Sequence, residues 1–445
     1  MPRPPARLAA PSRGDDVVAQ ASEVVGGPVG RYAAIGRRPW TYAGALLSAL
    51  ASVVVALGVL QKNHCVRSGW STPGSLWRAC YSDLPAAVTP EHGATPWSGG
   101  GPGHSQPVLT AFLTWVLRWL TPSGSGLAEQ RWYFALGAVV IALLVAVTVV
   151  ATAGVARSTP WLAAHVALSP VLVTAALVSF DMFGVALMAL GLLAWSRRHS
   201  TSAGVLLGAA TMARTFPAVV LVAVALVAWR DDRRRELRHV LAGAALAVVL
   251  SLVLAWSMGG DPLASYQLWT DQGAGYGSPW LVAQIAHVSI PAAALTALAV
   301  IGWLLALVVG VYLATDRERA FGIPQLSLVM LVIVMVTGKT IPVQAALWVL
   351  PLIALCGLRW RDHLIWAAVE VTYFAGVWMY AGTSFNADRA LPAPAYALLT
   401  SVRLLAYVGL AWRCLAGQRE LDDARAEGPA ASPGAARTRF AGVAD

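Results

Sequence analysis

The sequence predicts an all-α polytopic membrane protein with about 12 transmembrane helices and a long first outer loop that carries an interfacial helix. Three observations predict it. Of the 445 residues, 57% are hydrophobic and only 12% charged, whereas a soluble domain carries about 25% charged residues. The mean hydropathy is +0.62. The apolar residues also fall in runs near the length that a bilayer demands, about 20 residues. Together these exclude a soluble enzyme, a disordered chain and a nucleic-acid-binding domain of the usual kind. The net charge of +10 needs no nucleic-acid partner, because Arg collects at the cytoplasmic ends of membrane helices. Four cysteines are too few for a disulfide scaffold, and the eight His show no metal-ligand spacing, so neither a metal nor a cofactor is expected.

Residues 1–42, rich in Pro, Arg and Ala with six Arg, form a cytoplasmic tail. The run Ala43–Gln61 is long enough to span. No small-residue cleavage pattern follows it, since the next residues are Lys62, Asn63 and His64, so it reads as an uncleaved anchor. Residues 62–131 are a polar outer loop. Within it, Pro107–Leu120 is too short to span but sets Trp115 and Trp119 on one helical face, as a helix lying at the interface does. The loop Glu91–Gly103 is Gly-rich but lacks the Lys-Ser/Thr of a phosphate-binding loop, and reads as a lid or linker.

Eleven further apolar runs follow: Trp132–Val155, Trp161–Val178, Met182–Trp195, Ala203–Ala213, Phe216–Trp229, Val240–Ser257, Ala292–Ala314, Ile323–Thr337, Val343–Leu358, Leu364–Gly382 and Ala395–Leu415. The breaks at Phe180–Asp181 and Arg214–Thr215 mark short helices whose junctions face protein or water rather than lipid. The transmembrane domain is thus 43–415, and 416–445 is expected to be a disordered cytoplasmic tail. With both termini cytoplasmic, 23 of the 32 Lys and Arg lie inside and six in outer segments, which fixes the orientation. The run Arg230–Arg235 is then most simply a topology signal, with lipid head groups as its other reading.

Ionisable groups at membrane depth are functional by default, and four collect toward the outer side. Asp83 lies in the first outer loop, where a turn residue is its bland reading. Asp181 stands at a helix break, where it can cap the next helix. Arg214 and Lys339 stand at two further breaks, each followed within three residues by a proline; the alternative for each is a snorkelling anchor. Only two residues are Lys against 30 Arg, so each Lys merits inspection. Two cations with a nearby carboxylate suit a lipid phosphate. The carboxylate would take a proton from an attacking hydroxyl, and the cations would stabilise charge on the departing phosphate. Cys65 and Cys80 share the outer loop and can form a disulfide. Glu370 and Arg403, inside the last two spans, read as a buried ion pair.

The motifs, taken in order, resemble glycosyltransferase family 87, membrane mannosyltransferases of the type C fold that use polyprenyl-phosphate-mannose. Cys80-Tyr81-Ser82-Asp83-Leu84-Pro85 is similar to the family's Cys-Tyr-Ser-Asp-Ile-Pro, which implies Asp83 as the catalytic base and brings Tyr81 to the substrate. Asp181-Met182-Phe183-Gly184-Val185-Ala186-Leu187 resembles Asp-Leu-Leu-Ala-Val-Ala-Leu. Ala213-Arg214-Thr215-Phe216-Pro217 matches Ala-Lys-Leu-Tyr-Pro with Arg for Lys. Tyr276-Gly277-Ser278-Pro279-Trp280 is similar to Tyr-Gly-Ser-Leu-Trp. Lys339, Gln344, Leu347, Trp348 and Pro351 keep the spacing of a late family motif. Where the family has Glu-Tyr before Pro-Val-Leu-Thr, this chain has Ser105-Gln106, and His104 is the candidate replacement beside its reading as a solvated loop residue.

The resemblance implies an inverting glycosyltransferase. It would move a sugar, mannose in the family, from a polyprenyl-phosphate donor to an envelope glycolipid or glycan on the outer face of the plasma membrane. Asp83 is expected as base, with Arg214 and Lys339 as phosphate ligands. Tyr81, Asp181, Gln344, Tyr276 and His104 would shape the pocket. A transporter or flippase of lipid-linked sugars, and a non-catalytic paralogue, are the competing readings. The first of these asks for charges tracking through the bilayer and related helix halves.

Overall fold

A computed structural model describes residues 39–85, 95–97, 105–124, 126–316, 319 and 321–426. Its described residues form helices and connecting loops, with no strands among them. Among the described residues six helices are long and apolar enough to cross a membrane: Trp40–Gln61, Gly126–Val155, Arg234–Ser257, Ala292–Thr315, Trp360–Ser384 and Ala393–Gly417. Less than half of each is buried. The rest is an outward apolar face, as Val300, Ile301, Leu304, Leu305 and Val308 show on the fourth. A soluble protein could not expose such a surface; lipid covers it at no cost.

Shorter apolar helices fill the interior. Asp181–Ser196 buries ten of its 16 residues, and Ala346–Leu355 eight of its ten. Helices apolar all round belong in the core of a large bundle. Ser200–Ala213, Pro217–Arg230 and Ile323–Thr337 complete this inner set. Val108–Leu120, by contrast, exposes Trp119 and Leu120 while its buried face holds Arg118 in an ion pair with Glu129 of the next span, an arrangement suited to the interface.

Two elements differ from the sequence expectation. The run Trp161–Val178 is not one helix: it breaks into a 3-10 turn Pro160–Ala163 and two short helices, Ala164–Ala167 and Pro170–Ala175. Its composition is uniformly apolar, but Pro170 removes a backbone donor and forces Ser169 into an extended conformation (ψ 128°), which ends the helix before it. The last helix runs on to Ala426, past the residue at which the apolar run stops. The remainder of that tail, residues 1–38, most of the loop Glu91–Gly103 and His104 lie outside the described residues.

Candidate functional site

The stretch leading to Asp83 is fastened to the end of the first span. Gln61 Nε2 donates to Ala79 O at 2.6 Å and Lys62 Nζ to Tyr81 O at 2.9 Å. Cys65 and Cys80 are joined by a disulfide. On its other side the loop is pinned to the residues that close the broken segment: Ser82 Oγ donates to Leu177 O at 2.7 Å and Asp83 N to Val178 O at 2.8 Å. These bonds fix the backbone of Asp83 while leaving its carboxylate to one side-chain donor, the hydroxyl of Tyr81. Tyr81 is held in turn by the Trp378 ring, 4.5 Å away.

Burial raises the Asp83 pKa above the ordinary carboxylate value, because it disfavours the charged form. The Tyr81 hydrogen bond and the charges of Arg214 and Lys62 act in the opposite sense, while Asp181 adds to the rise. Lys62 is fully buried and sits 5.4 Å from the Phe374 ring centroid. Desolvation brings its pKa down to about 7, against the pull of Asp83. In the sequence Lys62 merely follows the anchor, and only its rarity, as one of two lysines, marks it out.

Asp181 does not cap its helix, since the N-cap position is Phe180 and no side chain bonds there. Its carboxylate is instead saturated by protein. Oδ1 accepts from Ser179 at 2.6 Å and from Arg214 Nε at 2.8 Å, with Arg214 Nη2 at 2.7 Å. Oδ2 accepts from Trp348 Nε1 at 2.6 Å. Arg214 follows Ser200–Ala213 in an extended conformation. It lies over Gly184, where a Cβ would meet its own Cβ at 3.1 Å, so the glycine makes room for it. Its Nη1 donates to Gln106 Oε1 at 2.6 Å, and Thr110 Oγ1 donates to Ala213 O at 2.6 Å. The interfacial helix is thereby docked on the Arg214 break. Phe216 stacks on Trp348 at 4.6 Å, and Gln344 lies half-buried one turn before that Trp.

Lys339 takes a different position. It is 2% exposed, and its ammonium donates to Trp269 O at 3.0 Å, Thr270 O at 2.9 Å and Gln272 O at 3.0 Å. All three of its protons are thus used on the end of the helix Ala264–Asp271, and it shares no partner with Arg214. Residues 338–342 pair with the loop after the helix Ala264–Asp271 through Gly275 N to Lys339 O and Ile341 N to Tyr276 O. Arg403 supports this pairing from below. It bonds both oxygens of Glu370 at 2.8 and 3.0 Å and the carbonyls of Ile341 and Pro342. Tyr276 is 45% exposed and meets Tyr380 and Tyr396 edge-on. Val178, Val343, Phe374, Tyr373 and Tyr396 pack in one hydrophobic cluster, so the Asp83 loop and the Tyr276–Lys339 pair flank a common core. Among the described residues no three His, Cys, Asp or Glu converge as a metal site.

The arrangement sets a buried, high-pKa carboxylate near a guanidinium that still has unused N–H groups. That combination can accept a proton and steady a departing anion. A sequence model of glycosyltransferase family 87 matches residues 106–338, more than half of the chain. No curated protein matches it.

Proposed function

The chain belongs to glycosyltransferase family 87 and is a membrane glycosyltransferase, and on that premise we propose that it transfers a sugar, mannose as in the family it resembles, from a polyprenyl-phosphate donor to a glycolipid or envelope glycan on the outer face of the plasma membrane. Asp83 is the general base. It takes the proton of the acceptor hydroxyl as that oxygen bonds to the anomeric carbon. The bond from this carbon to the phosphate oxygen breaks, and its electron pair leaves with the polyprenyl phosphate. A single displacement of this kind inverts the anomeric centre.

The observation that supports the reading is a buried carboxyl, Asp83, hydrogen-bonded by Tyr81 and within electrostatic reach of Arg214. The carboxylate keeps one side-chain hydrogen bond, to Tyr81, and Arg214 is among the charges that act on it. A raised pKa brings a carboxyl closer to the working pH and makes it a better proton acceptor. Arg214, held by Asp181 and Gln106, keeps a fixed orientation toward the leaving phosphate, and a preorganised cation costs no reorganisation during the reaction. Lys339 serves the donor by holding the outer segment that presents Tyr276; Tyr276, Tyr81 and Gln344 line the way to the sugar.

The test is incubation of purified protein with polyprenyl-phosphate-mannose and extracted envelope lipids, followed by loss of donor and gain of glycosylated product. Wild-type protein should consume the donor and Asp83→Asn should not. Donor consumption at the wild-type rate by Asp83→Asn would remove Asp83 as base. Donor displaced across vesicles without cleavage would replace transfer by transport.

A further inference from the structure

The helices Ser200–Ala213 and Arg234–Ser257 pack along a seam of small residues. A Cβ on Gly204 would overlap the carbonyl of Val240, and one on Gly208 that of Ala244. The offset between partners is the same at both points, so the two helices run parallel and begin side by side. Each helix start carries a partial positive charge, and here two such ends repel one another across a narrow gap. In the proposed topology both ends face the cytoplasm.

A cavity of about 640 Å³ opens at this place, with Arg198, His199, Ser200, Arg235, Glu236 and His239 in its wall. Ser200 is 7% exposed, and its hydroxyl makes no hydrogen bond. His199, at the N-cap, supplies no capping bond either, so no side chain caps the first-turn N–H groups. The neighbouring arginines are spoken for: Arg230 pairs with Asp231, Arg234 with Asp232 and Arg233 with Glu236. Among the described residues the side chains of Arg198 and Arg235 have no ion pair or hydrogen bond, although Arg198 lies within electrostatic reach of Glu236. The unpartnered hydroxyl of a nearly buried Ser200, two unpaired guanidinium groups and two adjacent helix starts are a receptor for an anion.

We propose that this cleft binds a phosphate ester, supplied by the head group of an anionic phospholipid or by a soluble phosphate. The cavity exceeds a bare phosphate. An outward apolar face begins on the same helix at Leu241, two residues beyond His239, and continues through Leu246, Val249 and Leu250; it offers acyl chains a surface beside the head-group site. Glu236 is the one carboxylate in the wall; it pairs with Arg233 at 3.4 Å and is also within electrostatic reach of Arg198, so an incoming anion meets one acidic neighbour there.

The experiment uses the purified full chain in detergent, titrated separately with phosphatidylglycerol, phosphatidylcholine and glycerol 3-phosphate, with binding read by native mass spectrometry. The variants are Arg198→Gln with Arg235→Gln, Ser200→Ala, and Arg234→Gln as an exposed control; thermal unfolding reports their folding. Phosphatidylglycerol should bind in preference to phosphatidylcholine. The double variant should weaken this by at least about tenfold, as the loss of charged hydrogen bonds requires, Ser200→Ala should weaken it less, and Arg234→Gln should leave it unchanged. Glycerol 3-phosphate binding with the same dependence, in the absence of phosphatidylglycerol binding, would identify a soluble phosphate ester as the occupant. Equal retention of both anions by wild type and the double variant overturns the site. None of these readouts depends on transferase activity, so failure here and failure of the glycosyltransferase mechanism are separable.

Discussion

Lys62 donates from Nζ to the main-chain oxygen of Tyr81 at 2.9 Å, which places a fully buried ammonium within electrostatic reach of Asp83. Burial lowers the Lys62 pKa to about 7, below the value it has in the unfolded chain. The unfolded state therefore binds more protons between about pH 7 and pH 10, and stability rises with pH across that window. The melting temperature of the wild type in detergent should climb from pH 7 to pH 10. Lys62→Met should flatten the climb; an unchanged slope would show that Lys62 is not the group responsible.

Asp83→Asn should lower transfer by about 10²- to 10⁴-fold, the usual worth of a general base. Stability should not fall with it. A carboxyl whose folded pKa is raised is a burden on the fold at neutral pH, and the amide is not. The variant should melt at or above the wild-type temperature. Melting well below it would mean that Asp83 holds the fold together rather than the reaction.

Tyr81→Phe removes the hydrogen bond that stabilises the charged form of Asp83. The Asp83 pKa then rises further, and the acidic limb of the kcat/KM profile moves to higher pH. A profile that loses height but keeps its limb in place would reduce Tyr81 to a packing residue.

Arg403→Met strips Glu370 of its partner inside the bundle, where Arg403 is itself fully buried. Breaking such a pair costs about 3–5 kcal/mol, to be read as a loss of stability in denaturant. Because Arg403 also bonds Ile341 O and Pro342 O, trypsin should cut more readily near Lys339. Protection of Lys339 in a destabilised variant would uncouple the two.

Reduction of the Cys65–Cys80 bond, or Cys65→Ala, frees a 15-residue loop. The chain-entropy model puts the loss near 3 kcal/mol. Transfer should fall together with stability, since the same loop carries Asp83. A reduced enzyme with full activity would show that Gln61 and Lys62 suffice to hold it.

The helices were legible because hydropathy and length set them, and lipid rewards both without regard to tertiary detail. Trp161–Val178 misleads for the same reason: its composition suits a span, while the Ser169-Pro170 step that breaks it carries no weight in hydropathy. The charged positions Asp83, Asp181, Arg214 and Lys339 stand out as polar groups in apolar surroundings. Their partners do not, because Asp181 and Arg214 are 33 residues apart and Gln106 and Arg214 are 108 apart. Lys339 illustrates the limit. Its residue type and depth point toward an anion, yet what its ammonium meets are three carbonyl oxygens at the end of a helix some 70 residues earlier in the chain.

The contrast between tall helices at the rim and stubby ones at the hub means that the molecule offers a bilayer two hydrophobic heights. A 16-residue helix such as Asp181–Ser196 rises about 24 Å, against about 30 Å of hydrocarbon. Such a helix cannot cross the hydrocarbon unaided, so its ends must be shielded by protein or water rather than by lipid, and Asp181 at the head of this one is 1% exposed.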